Sequence, residues 1–455
     1  MPVDSHRLWE RFRSLANQRD LISELAAPRA DYAKQLAQVA EERWKPHDTM
    51  ERIRSAFARF HRRRHLGIFA IPVEEGPWLQ VLDEESLRDA ARRADELCGY
   101  ATVVGADVGY RNLTEHYHPG LFLLNAAYFA YDYREGRWEE DMDPEVVVGS
   151  AFYRRLEPPT VFKDRLGSLY DQFVESVLGA EGQLVDTLDS PAGRDQFTVL
   201  SELLAALAGS MSVSKDSGPV YGFFDRPLVP LHIQRFVRIP SAVRNALRDS
   251  FERGFRFCYA QGVLPVGVTY AATHALVNTL AVLLCSRDDC SGCALASERV
   301  NAPAASPDEW GRNKCPVRWF GERLKDLSVV DQMLLPGVRT AAFYIYSGLY
   351  TDRQPPYLTF YLKPTSDSVL RVEVLRTEST LNKIQEIART VLAEATVGRG
   401  YPRVLERADR LSRITTTDRN LALALFNRFL QEFVDPFLEV RSTRKEAAKW
   451  FGEEV

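Results

Sequence analysis

The stretch ATVVGAD (101–107) runs through small and β-branched residues straight into an acid. A short apolar run of this kind reads as a buried strand, here one that delivers Asp107 at its C-terminal end. LFLLNAAYFAYDY (121–133) reads as a second strand, rich in aromatic residues. Between them VGYRNLTEHYHPG contains Gly109 and the Pro119-Gly120 pair and reads as a turn or hairpin loop. Further on, PVYGFFD (219–225) is again an apolar strand stopping on an acid, Asp225, and VLPVGVTY (263–270) is another apolar strand. Helical segments alternate with these strands: 160–209, clearest in DQFTVLSELLAALAG (195–209), then 240–260 and about 271–284. Strands follow at 340–348, 357–363 and 369–375, and helices at about 379–396 and 418–440 close the chain. At the other end, Leu8, Phe12, Leu15, Leu21, Leu25, Ile53, Phe57 and Phe60 fall at helical spacings. The order predicts an α/β fold: a mixed sheet with long helical additions.

Composition narrows the function classes. The chain has 455 residues, enough for two or three domains, with the 45% apolar and 26% charged residues of an ordinary globular protein. Apolar runs such as Leu280 to Cys285 are far too short to span a membrane. MPVDSHRLWERF has no apolar signal-peptide core, so the expected location is cytoplasmic, with no membrane partner. A net charge of −4 means that binding to nucleic acid needs locally concentrated positive charge. Two places offer it: Arg52, Arg54, Arg59, Arg62, Arg63 and Arg64 around Phe57 and Phe60, and Arg235, Arg238, Arg244, Arg248, Arg253 and Arg256 after Asp225. Each reads either as a solvated face or as a surface that follows phosphates. There is no phosphate-binding loop of the Gly-x-x-x-x-Gly-Lys-Ser/Thr type, so the chain is not expected to hydrolyse ATP.

Asp107 and Asp225 each end an apolar strand, where the sites of α/β sheets gather. Glu202 is a third acid, inside the apolar helix VLSELLAAL. Hard cations such as Mg²⁺ and Mn²⁺ take oxygen ligands, and a phosphodiester site usually needs two or three carboxylates to hold them.

These residues carry a resemblance to the NurA family of DNA-end-processing nucleases, which work with HerA-type hexameric ATPases. GADVGYRN (105–112) is similar to the family's opening strand motif. Glu202 followed by VYGFFDRPLVP (220–230) is similar to its second. FYIYSGLY (343–350) and VLRVEVL (369–375), with Arg371 and Glu373, are similar to its third, and GYPRVLERADRLSRIT (400–415) to its C-terminal block. The resemblance implies an RNase H-like mixed sheet flanked by helices, a Mn²⁺- or Mg²⁺-dependent site, and a homodimer whose channel admits DNA. It makes Asp107, Glu202 and Asp225 the metal-binding carboxylates and Tyr401 the residue that orients water or phosphate. Asp409 stands where the family often has a histidine. Other departures are Val108 in the first motif, Arg226-Pro227 after Asp225, and Val268-Thr269-Tyr270 where many relatives carry a lysine.

The expected domains are an N-terminal helical region (1–95), a NurA-like nuclease domain (96–415) and C-terminal helices (416–455). The nuclease domain would carry a helical insertion at about 140–200 and a cysteine-bearing one at about 285–335. The function implied is 5′-to-3′ exonuclease and single-strand endonuclease activity, with a HerA-like ATPase, in DNA-end resection or anti-phage defence. The alternative is an inactive NurA-like DNA-binding or scaffold subunit of the same complex.

Cys285, Cys290, Cys293 and Cys315 form a C-x4-C-x2-C-x21-C pattern. It suits tetrahedral Zn²⁺, its first three members match an iron–sulfur spacing, and Cys285 also reads as a plain buried thiol. Cys98 and Cys258 read as core cysteines. His116 and His118 have the spacing of metal ligands but no third partner, and Lys215 and Asp216 read as a turn.

Overall fold

The computed structural model describes the chain from 19 to 433, apart from residues 45, 64–65, 75–76, 83–97, 100, 114–119, 150–156, 180–183, 185–189, 214–217, 236–238, 288, 302–305, 307–308 and 351–352. His116, His118, Lys215, Asp216, Arg64, Arg238, the helical positions Leu8, Phe12 and Leu15, and the helix expected beyond 433 lie outside the described residues.

In chain order the elements are α1 (Arg19–Arg43), α2 (Pro46–Phe60), β1 (Phe69–Pro72), β2 (Leu79–Val81), β3 (Thr102–Asn112), β4 (Gly120–Asp132) and β5 (Arg137–Gly149). Then come α3 (Ser168–Leu178), α4 (Pro191–Ser212), β6 (Val220–Phe224), α5 (Ser241–Ala260), β7 (Val263–Thr269), α6 (Ala275–Leu284), α7 (Pro316–Arg323) and α8 (Asp326–Met333). The chain closes with β8 (Val338–Thr340), β9 (Phe343–Tyr346), β10 (Tyr357–Thr365), β11 (Ser368–Leu375), α9 (Thr380–Val397), α10 (Arg403–Ser412) and α11 (Thr416–Phe433). Two compact units emerge. One draws on residues 1–82, 270–355 and 359–371, the other on 83–269, 356–358 and 372–455.

In the second unit the strands lie in the order β5–β4–β3–β6–β7. β3, β4 and β5 pair antiparallel, while β6 and β7 continue from β3 in parallel. A three-stranded meander extended by two parallel strands is an RNase H-like mixed sheet. β6 and β7 sit inside the sheet and are apolar nearly throughout, as strands covered on both faces must be. Helix α4 covers one face. Its Ser190 cap accepts a hydrogen bond from the Gly193 N–H at 3.0 Å, and Pro191 opens the helix. A Cβ on its Gly209 would stand 2.6 Å from Val104 and 2.8 Å from Tyr128, so helix and sheet meet closely there.

Helix α10 covers the other face. Successive side chains of β3 alternate between faces, so Gly105, Asp107 and Gly109 share this one. A Cβ at Gly105 would lie 2.4 Å from the Val404 carbonyl oxygen, and one at Gly109 2.0 Å from that of Ser412. Only glycine lets the helix backbone rest on the strand. The far side of β3 presents Val108 and Tyr110 to an apolar cluster of Phe122, Leu124 and Phe197.

Three expectations change. The strand expected to stop at Asp107 runs on to Asn112, and its ladder continues through Gly109↔Asn125 to Asn112↔Phe122, so VGYRN is strand rather than loop. The glycine that suggested a turn answers the approach of α10. The helical insertion expected from about 140 instead opens as β5, which pairs with β4 along its whole length. β5 is an edge strand, and its charges and Pro144 suit an edge while hiding the period-2 pattern. Within 1–95, expected to be helical, FAIP (69–72) and LQV (79–81) are strands too short to show any periodicity.

In the first unit β1 pairs with β9, β9 with β10, and β8 with both β10 and β2, all antiparallel. Among the described residues no helix is long and apolar enough to cross a membrane.

Candidate active site

The register of the second unit's sheet brings the expected acids together. Ala106 of β3 lies beside Phe224 of β6, and Phe224 beside Gly267 of β7. Asp107, Asp225 and Val268 therefore follow at the same level, where β6 gives out. Asp107 lies mid-strand, yet it stands at the carboxyl edge of the parallel part.

Tyr401 reaches this edge from the turn between α9 and α10. The turn is closed by the Gly400 N–H donating to the Ala395 carbonyl at 2.6 Å, with Gly400 at φ +112°, a conformation that favours glycine. The Tyr401 hydroxyl is 2.5 Å from Asp225 Oδ1 and 3.1 Å from the Val268 carbonyl oxygen. Next, Glu394 anchors the start of α10. It is fully buried, accepts the Val404 N–H at 2.9 Å and an Arg403 N–H at 3.1 Å, and is hydrogen-bonded by the Tyr133 hydroxyl. A carboxylate on orphaned N–H groups at a helix start is favourable. At the other end of α10, the Ser412 hydroxyl donates to Asp107 Oδ2.

Electrostatics group Asp107, Asp225 and Asp409. Burial pushes the Asp107 carboxyl above its ordinary range, Asp409 and Asp225 push it further, and the Ser412 hydroxyl and Val108 N–H pull it back. Asp225 is raised by burial and by Asp409, against the Tyr401 hydroxyl and the Arg226 guanidinium. Asp409 is paired at 2.7 Å with Arg413 one helical turn on. Carboxyl groups gathered this closely form a donor set suited to a hard divalent cation. Among the described residues no three His, Cys, Asp or Glu side chains already stand at metal-binding distances.

Glu202 is held differently. It is buried on α4, and its oxygens lie 2.5 Å from Nε and 3.0 Å from Nη2 of Arg226, a two-point ion pair. Burial pushes the Glu202 carboxyl up, the guanidinium opposes this, and Asp107 adds to the rise. Arg226 also lies 3.4 Å from Asp195, whose other oxygen is 2.5 Å from His232 Nε2. Arg226, one of the departures noted in the sequence, thus supplies a fixed cation among four acids.

Sequence reasoning passed over Ser412, Glu394, Asp195 and His232. Ser412 follows Asp409 by one helical turn, so projecting α10 onto a wheel would have flagged it. Nothing local marks the other three. The arginines after Asp225 divide: Arg248 is buried against Asp249 at 3.0 Å and Arg253 donates to the Val177 carbonyl at 2.9 and 2.7 Å, whereas Arg256 is exposed. Cys98 and Cys258 are buried free thiols, as expected of core positions.

The NurA domain family model matches residues 221–414. That span contains Asp225, Tyr401, Asp409 and Ser412, while Asp107 and Glu202 precede it. No curated protein matches the chain. Two solved structures are similar to it. The NurA nuclease from Sulfolobus solfataricus is 12% identical, with 74% of this chain and 86% of that one covered and a TM-score of 0.38. A structure of NurA with manganese is 10% identical, with 72% and 89% covered and a TM-score of 0.25. The match over residues 221–414 is to the same family whose motifs the sequence resembles.

Proposed function

We propose that this protein is a metal-dependent deoxyribonuclease whose site is built on Asp107 and Asp225. The observation that carries the reading is their adjacency at the carboxyl edge of β3 and β6, with the Tyr401 phenol on Asp225. Asp107 and Asp225 would hold one or two Mn²⁺ or Mg²⁺ ions, with Asp409 close enough to share the field and Glu202 behind them. Such an ion, once bound, neutralises a phosphodiester and lowers the pKa of a water for in-line attack. Tyr401 orients that water or a phosphate oxygen, and Ser412 fixes the rotamer of Asp107. Asp409 cannot act as an imidazole base, so its part is electrostatic. The activity would be 5′-to-3′ exonuclease and single-strand endonuclease cleavage, by a cytoplasmic homodimer working with a HerA-like ATPase in resection or defence.

The Arg226–Glu202 pair favours a second reading, an inactive DNA-binding subunit docked on the same ATPase, because a guanidinium holds one of the three expected ligands. A nuclease assay on labelled single- and double-stranded DNA, with Mn²⁺ or Mg²⁺ and with or without the ATPase, separates the two. Cleavage abolished by Asp107→Ala supports the enzyme. No cleavage under any of these conditions, together with retained DNA binding, supports the subunit.

A further inference from the structure

The first unit holds a cluster that the nuclease reading does not use. Cys285, Cys290, Cys293 and Cys315 come from the end of α6, a loop and the start of α7, and all four line one pocket with Phe60 and Arg287. All are free thiols. Cys290 has the other three as electrostatic neighbours, and Cys315 has Cys285 and Cys293. Residues 30 apart in sequence have been gathered at one point without any disulfide.

Burial raises the Cys285, Cys290 and Cys315 thiols, Cys290 to about 12 and Cys315 to about 11, but several donors face the sulfurs and would support them as ligands once a cation displaced their protons. The Val317 and Arg318 backbone N–H groups, at the start of α7, are directed at Cys315 Sγ, and the Arg287 N–H at Cys285 Sγ. Arg287 Nη1 lies 3.6 Å from Cys293 Sγ. Arg52, reaching in from α2, lies close enough to stabilise charge on Cys285 and Cys290 while donating to the carbonyls of Val282 at 2.9 Å and Cys285 at 2.5 Å. Four thiolates around a doubly charged cation leave a net charge of minus two, and Arg52 and Arg287 carry the matching two positive charges. The void lined by the cysteines is small, about the room of one water-sized sphere. Gly311 (φ +82°) keeps the wall open, since a Cβ there would stand 2.8 Å from Cys285 Sγ.

We infer that Cys285, Cys290, Cys293 and Cys315 form a structural Zn²⁺ site that staples the 285–315 segment to α2. The four sulfurs do not yet stand at metal-binding distances, so they would have to close in on the ion to reach the usual zinc–sulfur distance of about 2.3 Å. A closed four-thiolate site leaves no coordination position for water, so it stabilises the fold and takes no part in cleavage. Besides Arg52, Ser55 of α2 already joins the parts: the Cys290 N–H donates to Ser55 Oγ at 2.7 Å, and the Ser55 hydroxyl donates to Asp289 at 2.6 Å.

The test is metal analysis of the full-length protein purified without chelator, followed by titration with a mercurial thiol reagent in the presence of a zinc-sensitive dye. One zinc per chain, released as four thiols react, is the expected result. Cys290→Ser and Cys315→Ser should each lower the zinc content at least tenfold. Co²⁺ substituted into the wild-type chain should show thiolate-to-cobalt charge-transfer absorption, a readout that stands even if the variants fold poorly. Iron with acid-labile sulfide would overturn the assignment. So would a chain that takes up no zinc, or zinc retained in both serine variants.

Discussion

At the scale of single residues, the acids at the sheet edge work against the metal-free fold. Burial holds Asp107 and Asp225 above their ordinary value of 3.8, so charging each costs more in the fold than in the unfolded chain. Their contribution to stability is complete below about pH 4 and is lost as pH rises through the raised values. Asp107→Asn and Asp225→Asn should therefore melt above the wild type at pH 8 in chelator and level with it near pH 4, while losing cleavage altogether. Melting curves at the two pH values check this, and variants less stable at pH 8 would contradict it. Ser412→Ala should leave the melt nearly unchanged and cost about 10–100-fold in activity or metal affinity, as removal of an outer partner of a ligand does. Arg226→Met strands Glu202 in the interior at a cost of about 3–5 kcal/mol. Adding Glu202→Gln should recover most of that in urea titrations, and no recovery would mean the pair is not the source. Asp107 and Asp225 were legible in the sequence because each follows an apolar run. The cation beside them was not: Arg226 registers as a departure from a motif, and only the return of α4 beneath the sheet shows which acids it serves.

At the scale of elements, β3 and α10 form one side of the proposed site between them. Their contact depends on two residues without side chains, which predicts what a methyl group would do. Gly109→Ala should push α10 off the strand, destabilise the protein by about 1–3 kcal/mol and weaken cleavage by separating Ser412 from Asp107. Denaturant titration and the nuclease assay read the two effects, and unchanged activity would show that the Ser412 contact is dispensable. Most elements could be read from the sequence wherever a full period was present. β6, β7, α5 and α9 lie close to their expected bounds because each is a buried run or an amphipathic stretch. The reading failed where the reason for a residue lies elsewhere in the chain. Gly109 looked like a turn residue because its true partner is 303 residues away at Ser412, and β5 looked helical because an edge strand may keep its charges.

At the scale of the whole molecule, the C-terminal helix α11 leaves Leu421, Leu425, Phe429 and Phe433 between 50% and 73% exposed at intervals of four residues. Such a stripe along one face of a helix is what an association surface presents. If the protein is the homodimer proposed above, Leu425→Glu with Phe429→Glu should shift its mass in light scattering from dimer to monomer while the zinc content stays the same. A wild-type monomer would remove that part of the proposal. Neither the stripe's exposure nor the sheet's strand order follows from local pattern, since both depend on what else packs nearby. β3 is also laddered on both sides, to β4 and to β6, over the stretch that leads into Asp107. Its amides should be among the last in the second unit to exchange with deuterated water, whereas α10, which rests on β3 and β4 through one flank only, should open before them. Mild denaturant should then abolish the proposed cleavage while the sheet still exchanges slowly, so its loss would report the detachment of a ten-residue helix rather than unfolding.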